Sequence, residues 1–506
     1  MDRPNILFFQ VDQLMAKALR AYGDPVCHAP HLDRLAERGA VFDTAYCNFP
    51  LCAPSRFSMA TGRLCSEIGA YDNAAEMPAS MPTYAHYLRA AGYRTALSGK
   101  MHFIGPDQHH GFEERLTPDL YPADFSWVPN WGDEGERDTN DSRGVLISGI
   151  CERSVQIDFD ELVTFHAMQH LYDLARSGEA RPFFLQVSYT HPHEPYLCGK
   201  AYWDLYEGLK IPAPSVPALP AAEHDAHSVR LLRDFSMLDM RFEAADIARA
   251  RRAYYGSISY LDAMIGRILD VLDATGRADD TVIVFASDHG EMLGERGMWF
   301  KKHFFEPALR VPLMISGPGI APQRIGTPVS LVDLLPTFMG LATGSGWASA
   351  VEPLDGTDLT TLFDAPDQPD RPVHAEYLAE ATTAPILMIR RGRYKFVWSD
   401  ADPPLLYDLT DDPDERRNLA PDPAHAGTVA QFRSEIAQRW DSAALTQQIT
   451  LSQRRRRIIL DGYAHGPKPR WNHGEQPGEG VLWYRGEGSY NEWAFAHLPV
   501  TPETAD

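Results

Sequence analysis

Four short runs of β-branched and aromatic residues, each ending in polar side chains able to do chemistry, constrain this chain more than any other feature. Asn5–Val11 ends at Asp12 and Gln13, and Tyr93–Ser98 ends at Gly99-Lys100-Met101-His102. Phe183–Thr190 ends at His191-Pro192-His193, and Thr281–Ser287 at Asp288-His289-Gly290. Helical spacing fills the gaps: Tyr84, Tyr87, Leu88 and Ala91 share one face before the second run. Ile258, Leu261, Ile265, Ile268 and Leu272 do the same before the fourth. Strand alternating with helix predicts a doubly wound α/β sheet. In open sheets of this kind the ligand crevice lies outside the carboxyl ends of the strands. The four polar endings are therefore expected to meet in one active site.

A chain of 506 residues has room for more than one folding unit. The texture changes beyond residue 370, where a Pro/Asp-rich link is followed by β-like runs at Ile386–Arg390 and Tyr394–Trp398. We expect a catalytic α/β domain over residues 1–370 and a smaller α+β domain over 371–465. Residues 466–506 form an aromatic, Gly-rich tail, expected to pack on the core or on another subunit of a homo-oligomer. The basic run Arg454–Arg457 reads as a solvated helix face. With 47 Lys and Arg against 69 acidic residues, the formal charge of −22 argues against nucleic acid or an anionic membrane as a partner. No apolar run is long enough to span a bilayer. The six cysteines, with no charged leader ahead of Asn5, are expected to be reduced thiols of a cytoplasmic protein. An acidic protein that takes an anionic substrate must gather positive charge locally, so the cations of its pocket should be identifiable.

Leu51-Cys52-Ala53-Pro54-Ser55-Arg56 leads into a helix-compatible stretch that ends at Thr61-Gly62. Alone, Cys52 reads as a small buried residue, the usual fate of a free cysteine. A zinc site built with Cys47 would lack a second cysteine pair at metal spacing. The whole run resembles the sulfatase signature Cys-x-Pro-Ser-Arg, in which a maturation enzyme oxidises the cysteine to formylglycine. The choice of group has a chemical reason. A hydrated aldehyde carries two hydroxyls on one carbon, so one attacks sulfur and the other later expels sulfate. A helix beginning here would add N–H donors for an anion. The segment from Gly92 to His102 resembles the second signature of the same family. The resemblance implies that Lys100 stabilises the formylglycine oxygen and that His102 takes a proton from its hydrate.

Asp12-Gln13 and Asp288-His289, each pair at a strand end, form with Cys52 the expected metal set for one divalent ion. Carboxylate and amide oxygens suit Ca2+, and the histidine shifts the preference toward Mn2+. Many sulfatases have Asp and Asn where this chain has Gln13 and His289; the pattern here is similar to the choline sulfatase and phosphonate monoester hydrolase branches. By the same resemblance His193 and Lys301 contact the sulfate and the leaving oxygen, and Asn73 is a polar residue of that pocket. Their neighbours His191 and Lys302 are set aside. From Asn5 to about Ala420 the chain resembles the choline sulfatase branch, including Tyr71-Asp72-Asn73-Ala74-Ala75-Glu76 and Ala379-Glu380-Ala381. The fold this implies is alkaline-phosphatase-like: a large mixed, mostly parallel sheet flanked by helices, with a smaller C-terminal α+β domain.

The expected chemistry has the metal, Arg56, Lys100 and Lys301 neutralising the sulfate while one hydroxyl of the Cys52-derived hydrate attacks in line. His193 or Lys301 then protonates the leaving oxygen. Asp12 and Asp288 are expected to face solvent-filled space. The substrate is a small-molecule sulfate ester, aryl or small alkyl. Trp127 and Glu380 fall in segments that hold a quaternary ammonium in the choline branch. Asp138–Arg143 and the tail with Trp483-Tyr484-Arg485 and Asn491-Glu492-Trp493 diverge from it. An inward Arg143 would repel choline, so an uncharged or aromatic alcohol half is expected. A cage rebuilt from Trp483 or Trp493 and Glu492 is the alternative. Phosphonate or phosphate ester hydrolysis is the rival reaction, and a catalytically silent anion-binding protein the rival class.

Overall fold

The computed structural model describes residues 3–132, 141–238, 240, 242–344, 350–467, 471 and 489–496. Eight strands form one sheet: β1 (Asn5–Val11), β2 (Ala40–Phe42), β3 (Arg94–Gly99), β4 (Glu114–Arg115), β5 (Phe183–Ser188), β6 (Thr281–Ser287), β7 (Leu313–Ser316) and β8 (Gln323–Ile325). Their order is β8-β2-β7-β6-β1-β5-β3-β4. The four runs singled out in the sequence are the adjacent strands β6-β1-β5-β3, parallel throughout. β7 runs antiparallel to both its neighbours and makes the sheet mixed.

Parallel strands at the centre of a sheet are covered on both faces, which is why their sequences are continuously apolar. Every residue of β1 is buried. Ile6 and Phe8 enter one apolar layer, and Leu7, Phe9 and Val11 the other. A one-residue slip would exchange the two sets.

Helices cover both faces. Pro30–Arg38 is α1, Cys52–Thr61 α2, Tyr84–Ala90 α3, Val155–Ser177 α4, Ala244–Ala274 α5 and Leu334–Thr343 α6. α2, α3 and α6 supply Phe57, Tyr84 and Phe338 to the layer of Ile6 and Phe8. α1, α4 and α5 supply Leu32, Val163 and Ile258 to the other. The one-face set Ile258, Leu261, Ile265, Ile268 and Leu272 is buried along α5.

Beyond the large sheet, β9 (Val373–Tyr377), β10 (Ile386–Arg391), β11 (Tyr394–Ser399) and β12 (Leu405–Asp408) form an antiparallel meander. Helix α7 (Ala426–Arg439) packs on it, with the rings of Phe396 and Phe432 stacked at 5.5 Å. Helix α8 (Ser442–Tyr463) returns to the catalytic part. Here the sequence expectation needs correcting, because Arg456 does not share the solvated face of its run. It is buried and binds both oxygens of buried Asp72 at 2.6 and 2.7 Å. A buried carboxylate is costly without such a partner.

Of the tail, helix α9 (Tyr490–Ala496) packs on the core, with Tyr490 at 5.4 Å from Tyr121 and 5.1 Å from Trp127 between ring centroids. Residues 135–140 and 483–485 lie outside the described residues. All six cysteines are free and buried. Among the described residues, no helix is long and apolar enough to cross a membrane.

Candidate active site

The four parallel strands release their last residues at one edge. Asp12 and Gln13 follow β1, Asp288 and His289 follow β6, Lys100 and His102 follow β3, and His193 comes shortly after β5. The Gly99-Lys100 step requires its glycine: φ is 111°, and a Cβ there would stand 1.9 Å from the Ser188 carbonyl oxygen. Cys52 is the first residue of α2, a helix buried along its whole length, so its start is held rigidly against the strand ends.

Asp12, Cys52, Asp288 and His289 are all buried, and their ligand atoms lie within 4.8 Å of one another. His289 Nε2 is 3.2 Å from Cys52 Sγ and 3.7 Å from an oxygen of each carboxylate. Burial alone would lower this imidazole, yet the negative charges of Asp288, Cys52 and Asp12 push it up to about 9. Burial raises Asp288 and the Asp12 charge adds to this, overcoming the pull of Arg56. At Asp12, burial and Cys52 push upward, but the positive charges of Lys100 and Arg56 hold the carboxyl well below its ordinary range. Burial likewise opposes ionisation of Cys52, and Lys100, Lys301 and His289 overcome it, drawing the thiol well below its ordinary range. Two carboxylates, a cysteine sulfur and an imidazole crowded in this way can hold a metal ion, and the mixed O, N and S set suits a divalent one.

Two further expected site residues, Arg56 and Gln13, are held in dense hydrogen-bond networks. Arg56 does not line the cavity. It is fully buried, with Nε on Asp288 at 2.8 Å, Nη2 on Asp12 at 3.0 Å, and Nη1 on the Lys100 carbonyl and Ser188 Oγ at 2.6 and 2.8 Å. Two of these four bonds tie the two carboxylates together. The Gln13 amide oxygen accepts from Lys301, and its nitrogen donates to Glu194 and Glu291. Asp12 and Asp288 are also fully buried, against the expectation that they face solvent. Gln13 and His102 adopt left-handed backbone, with φ of 66° and 58°. Such strain persists where the surroundings over-determine it, here through Gln13 N on Asp288 and His102 N on Asp119 at 3.1 and 2.7 Å.

Lys100 pairs with Asp12 and lies 3.8 Å above the centre of the Tyr121 ring. His102 stacks on Tyr121 at 5.0 Å, and its ring hydrogen-bonds the Cys52 side chain. On the other side, Lys301 Nζ meets His193 Nε2 at 2.7 Å and Glu194 at 3.6 Å. Burial would lower the Lys301 ammonium, but Cys52, Glu194, Asp12 and Glu291 raise it and keep it protonated.

A cavity of about 180 Å³ opens beside Cys52, lined by Asn73, Tyr121, Trp127, Glu380, Tyr490 and Trp493 among others. Asn73 Oδ1 accepts from Ala53 N at 3.0 Å, which fixes the start of α2. Glu380 is paired with Lys302, which also lines the cavity, while His191 is tied to Asp160 at 2.6 Å. Arg143 is turned out: half-exposed, it pairs with Asp141 at 2.6 Å and lies over Phe495 at 4.3 Å.

The sequence reading missed Tyr121, Asp119, Glu194 and Glu291. Glu194 and Glu291 each stand beside a motif residue in the chain, and that adjacency was their only signal. Tyr121 and Asp119 lie in an irregular segment with neither motif nor periodicity.

A buried carboxylate-rich group able to hold a metal, a cysteine at a helix start and lysines on either side suit a hydrolase for esters of tetrahedral oxyanions. The sulfatase family profile matches residues 4–345, and that of the C-terminal part of N-sulphoglucosamine sulphohydrolase matches residues 294–442. The chain belongs to the sulfatase family and is a sulfuric ester hydrolase. It is 45% identical to the choline-sulfatase of Rhizobium meliloti (strain 1021) over 481 residues, 93% of each chain. It is 27% identical to an arylsulfatase of Clostridium perfringens (strain 13 / Type A), covering 82% of this chain and 90% of that one. The phosphonate monoester hydrolase of Agrobacterium radiobacter shares the alkaline-phosphatase-like fold, with a TM-score of 0.70 at 23% identity over 88% of this chain and 96% of that one.

Proposed function

We propose that the protein hydrolyses a small sulfate monoester whose alcohol half is uncharged or aromatic, an aryl sulfate foremost. One observation carries this reading: the cavity beside Cys52 has aromatic walls, and each carboxylate among its described lining residues is already ion-paired. Glu194 pairs with Lys301, Glu380 with Lys302 and Asp141 with Arg143. No negative charge is left over there for a cationic alcohol.

Cys52 is read as the site of conversion to formylglycine by a maturation enzyme. Asp12, Gln13, Asp288, His289 and residue 52 are read as the residues that would hold one divalent ion, Ca2+ or Mn2+. The ion supplies positive charge for the sulfate oxygens, and the aldehyde hydrate supplies two hydroxyls on one carbon. Lys100 holds positive charge beside residue 52, and the ring nitrogens of His102 stand ready to accept a proton. Lys301 carries the proton for the leaving oxygen. Arg56 keeps Asp12 and Asp288 in place from behind. The catalytic unit is assigned to residues 1–370 of a cytoplasmic homo-oligomer.

A second reading, choline sulfate, is favoured by the 45% identity to the Rhizobium meliloti choline-sulfatase and by Trp127 and Glu380 lining the cavity. The outward Arg143 removes one objection to it, and aromatic faces bind quaternary ammonium well. The two readings part on kcat/KM for para-nitrophenyl sulfate, choline sulfate and the phosphonate monoester para-nitrophenyl phenylphosphonate, measured on matured, metal-loaded enzyme. The aryl sulfate is expected to lead. A constant for choline sulfate well above it would move the assignment to choline, and one for the phosphonate above both would overturn sulfate specificity.

A further inference from the structure

Tyr121 belongs to no sequence motif, yet side chains from both ends of the site meet on its ring. Lys100 Nζ lies 3.8 Å over its face, and His102 stacks on it at 5.0 Å. On the leaving-group side its hydroxyl stands 3.5 Å from each ring nitrogen of His193. That distance is too long for a good hydrogen bond, and the hydroxyl is instead engaged by the Tyr490 side chain, so it is the ring face that meets Lys100 and His102.

Asp119 fixes where the ring stands. Its Oδ1 accepts from Tyr121 N at 3.3 Å, while its Oδ2 accepts from Met101 N and His102 N at 2.9 and 2.7 Å. One carboxylate thereby locks the turn after β3 to Tyr121. Lys100 has three N–H donors. Asp12 takes one and the ring face engages another, which leaves the third for an oxygen at position 52. A cation over an aromatic face is held more strongly when both are desolvated, and Lys100 is fully buried.

We propose that Tyr121 is a positioning residue for the attack step: its ring holds the Lys100 ammonium and the His102 imidazole in register with residue 52. The inference rests on the reading that Lys100 and His102 act there. Matured, metal-loaded Tyr121→Phe, Tyr121→Leu and Tyr121→Met are compared for kcat and KM with an aryl and a small alkyl sulfate. Phe keeps the face and is expected to stay within about threefold of the parent, whereas Leu and Met lower kcat about 10- to 30-fold for both esters, with KM little changed. Metal content and Tm, read in parallel, are expected to stay near those of the parent. Unchanged kcat in Leu or Met, an equal loss in Phe, or a loss confined to KM and dependent on the alcohol overturns the proposal. Lys100→Ala and His102→Ala separate the two levels. Full turnover in those variants sinks the site reading itself, whereas their collapse beside an unaffected Tyr121→Leu sinks only the role of Tyr121.

Discussion

Lys301 Nζ stands 2.7 Å from His193 Nε2. An ammonium can only donate, so that nitrogen of His193 accepts, and its proton sits on Nδ1, 2.7 Å from the Glu194 carbonyl oxygen. The pair therefore contains one acid, Lys301. Lys301→Met is expected to lower kcat/KM by about 100- to 10,000-fold for an alkyl sulfate, whose leaving oxygen needs a proton. The loss should be much smaller for para-nitrophenyl sulfate. Equal losses for the two esters would reassign the acid.

Asp12 and Asp288 share Arg56, and all three are fully buried. Removing one partner of a buried pair leaves an uncompensated charge and costs about 3–5 kcal/mol. Asp288→Ala should thus lose metal, turnover and stability together. Asp288→Asn should lose metal and turnover with a smaller fall in Tm. Elemental analysis and thermal melts check this, and stoichiometric metal in either variant would count against the ligand set.

Cys52 opens α2 in a buried, lysine-flanked position that draws its thiol well below the ordinary range. Peptide mass mapping after co-expression with a maturation enzyme should find formylglycine at position 52. Cys52→Ser and Cys52→Ala should lose multiple turnover, since neither can form the aldehyde hydrate. Full activity in either variant sinks the mechanism.

Asp262, buried on α5, accepts from His31 N and Leu32 N at the start of α1. Burial pushes this carboxyl up to about 7, although those two N–H groups pull the other way. The native state therefore holds a proton that the unfolded chain has already released above its ordinary range. Its contribution to stability is present at acid pH and lost as pH rises through 7. Tm should fall from pH 5 to pH 8, with a shallower slope in Asp262→Asn. An unchanged slope in that variant would place the pH dependence elsewhere.

The sheet and the ends of its central strands were legible in the sequence because parallel strands covered on both faces are continuously apolar and stop where chemistry begins. Asp12, Lys100, His102, Asp288 and His289 could be read in that way, each from its own short segment. Cys52 could be placed because the run Cys52–Arg56 leads into a helix-compatible stretch, and the helix does begin there. The segments that meet these residues were not legible. Arg56 lies four residues from Cys52, yet only the packing of α2 against β1 and β6 turned its guanidinium onto Asp12 and Asp288. Tyr121 and Asp119 come from a loop without periodicity, and Tyr490 reaches them from more than 350 residues away in the chain. Arg456 looked like one of four solvated arginines until α8 brought it to Asp72. Local pattern determines which residues form an element and which face is apolar. Which side chains then face one another across elements depends on the relative placement of distant segments, and only the tertiary structure decides that.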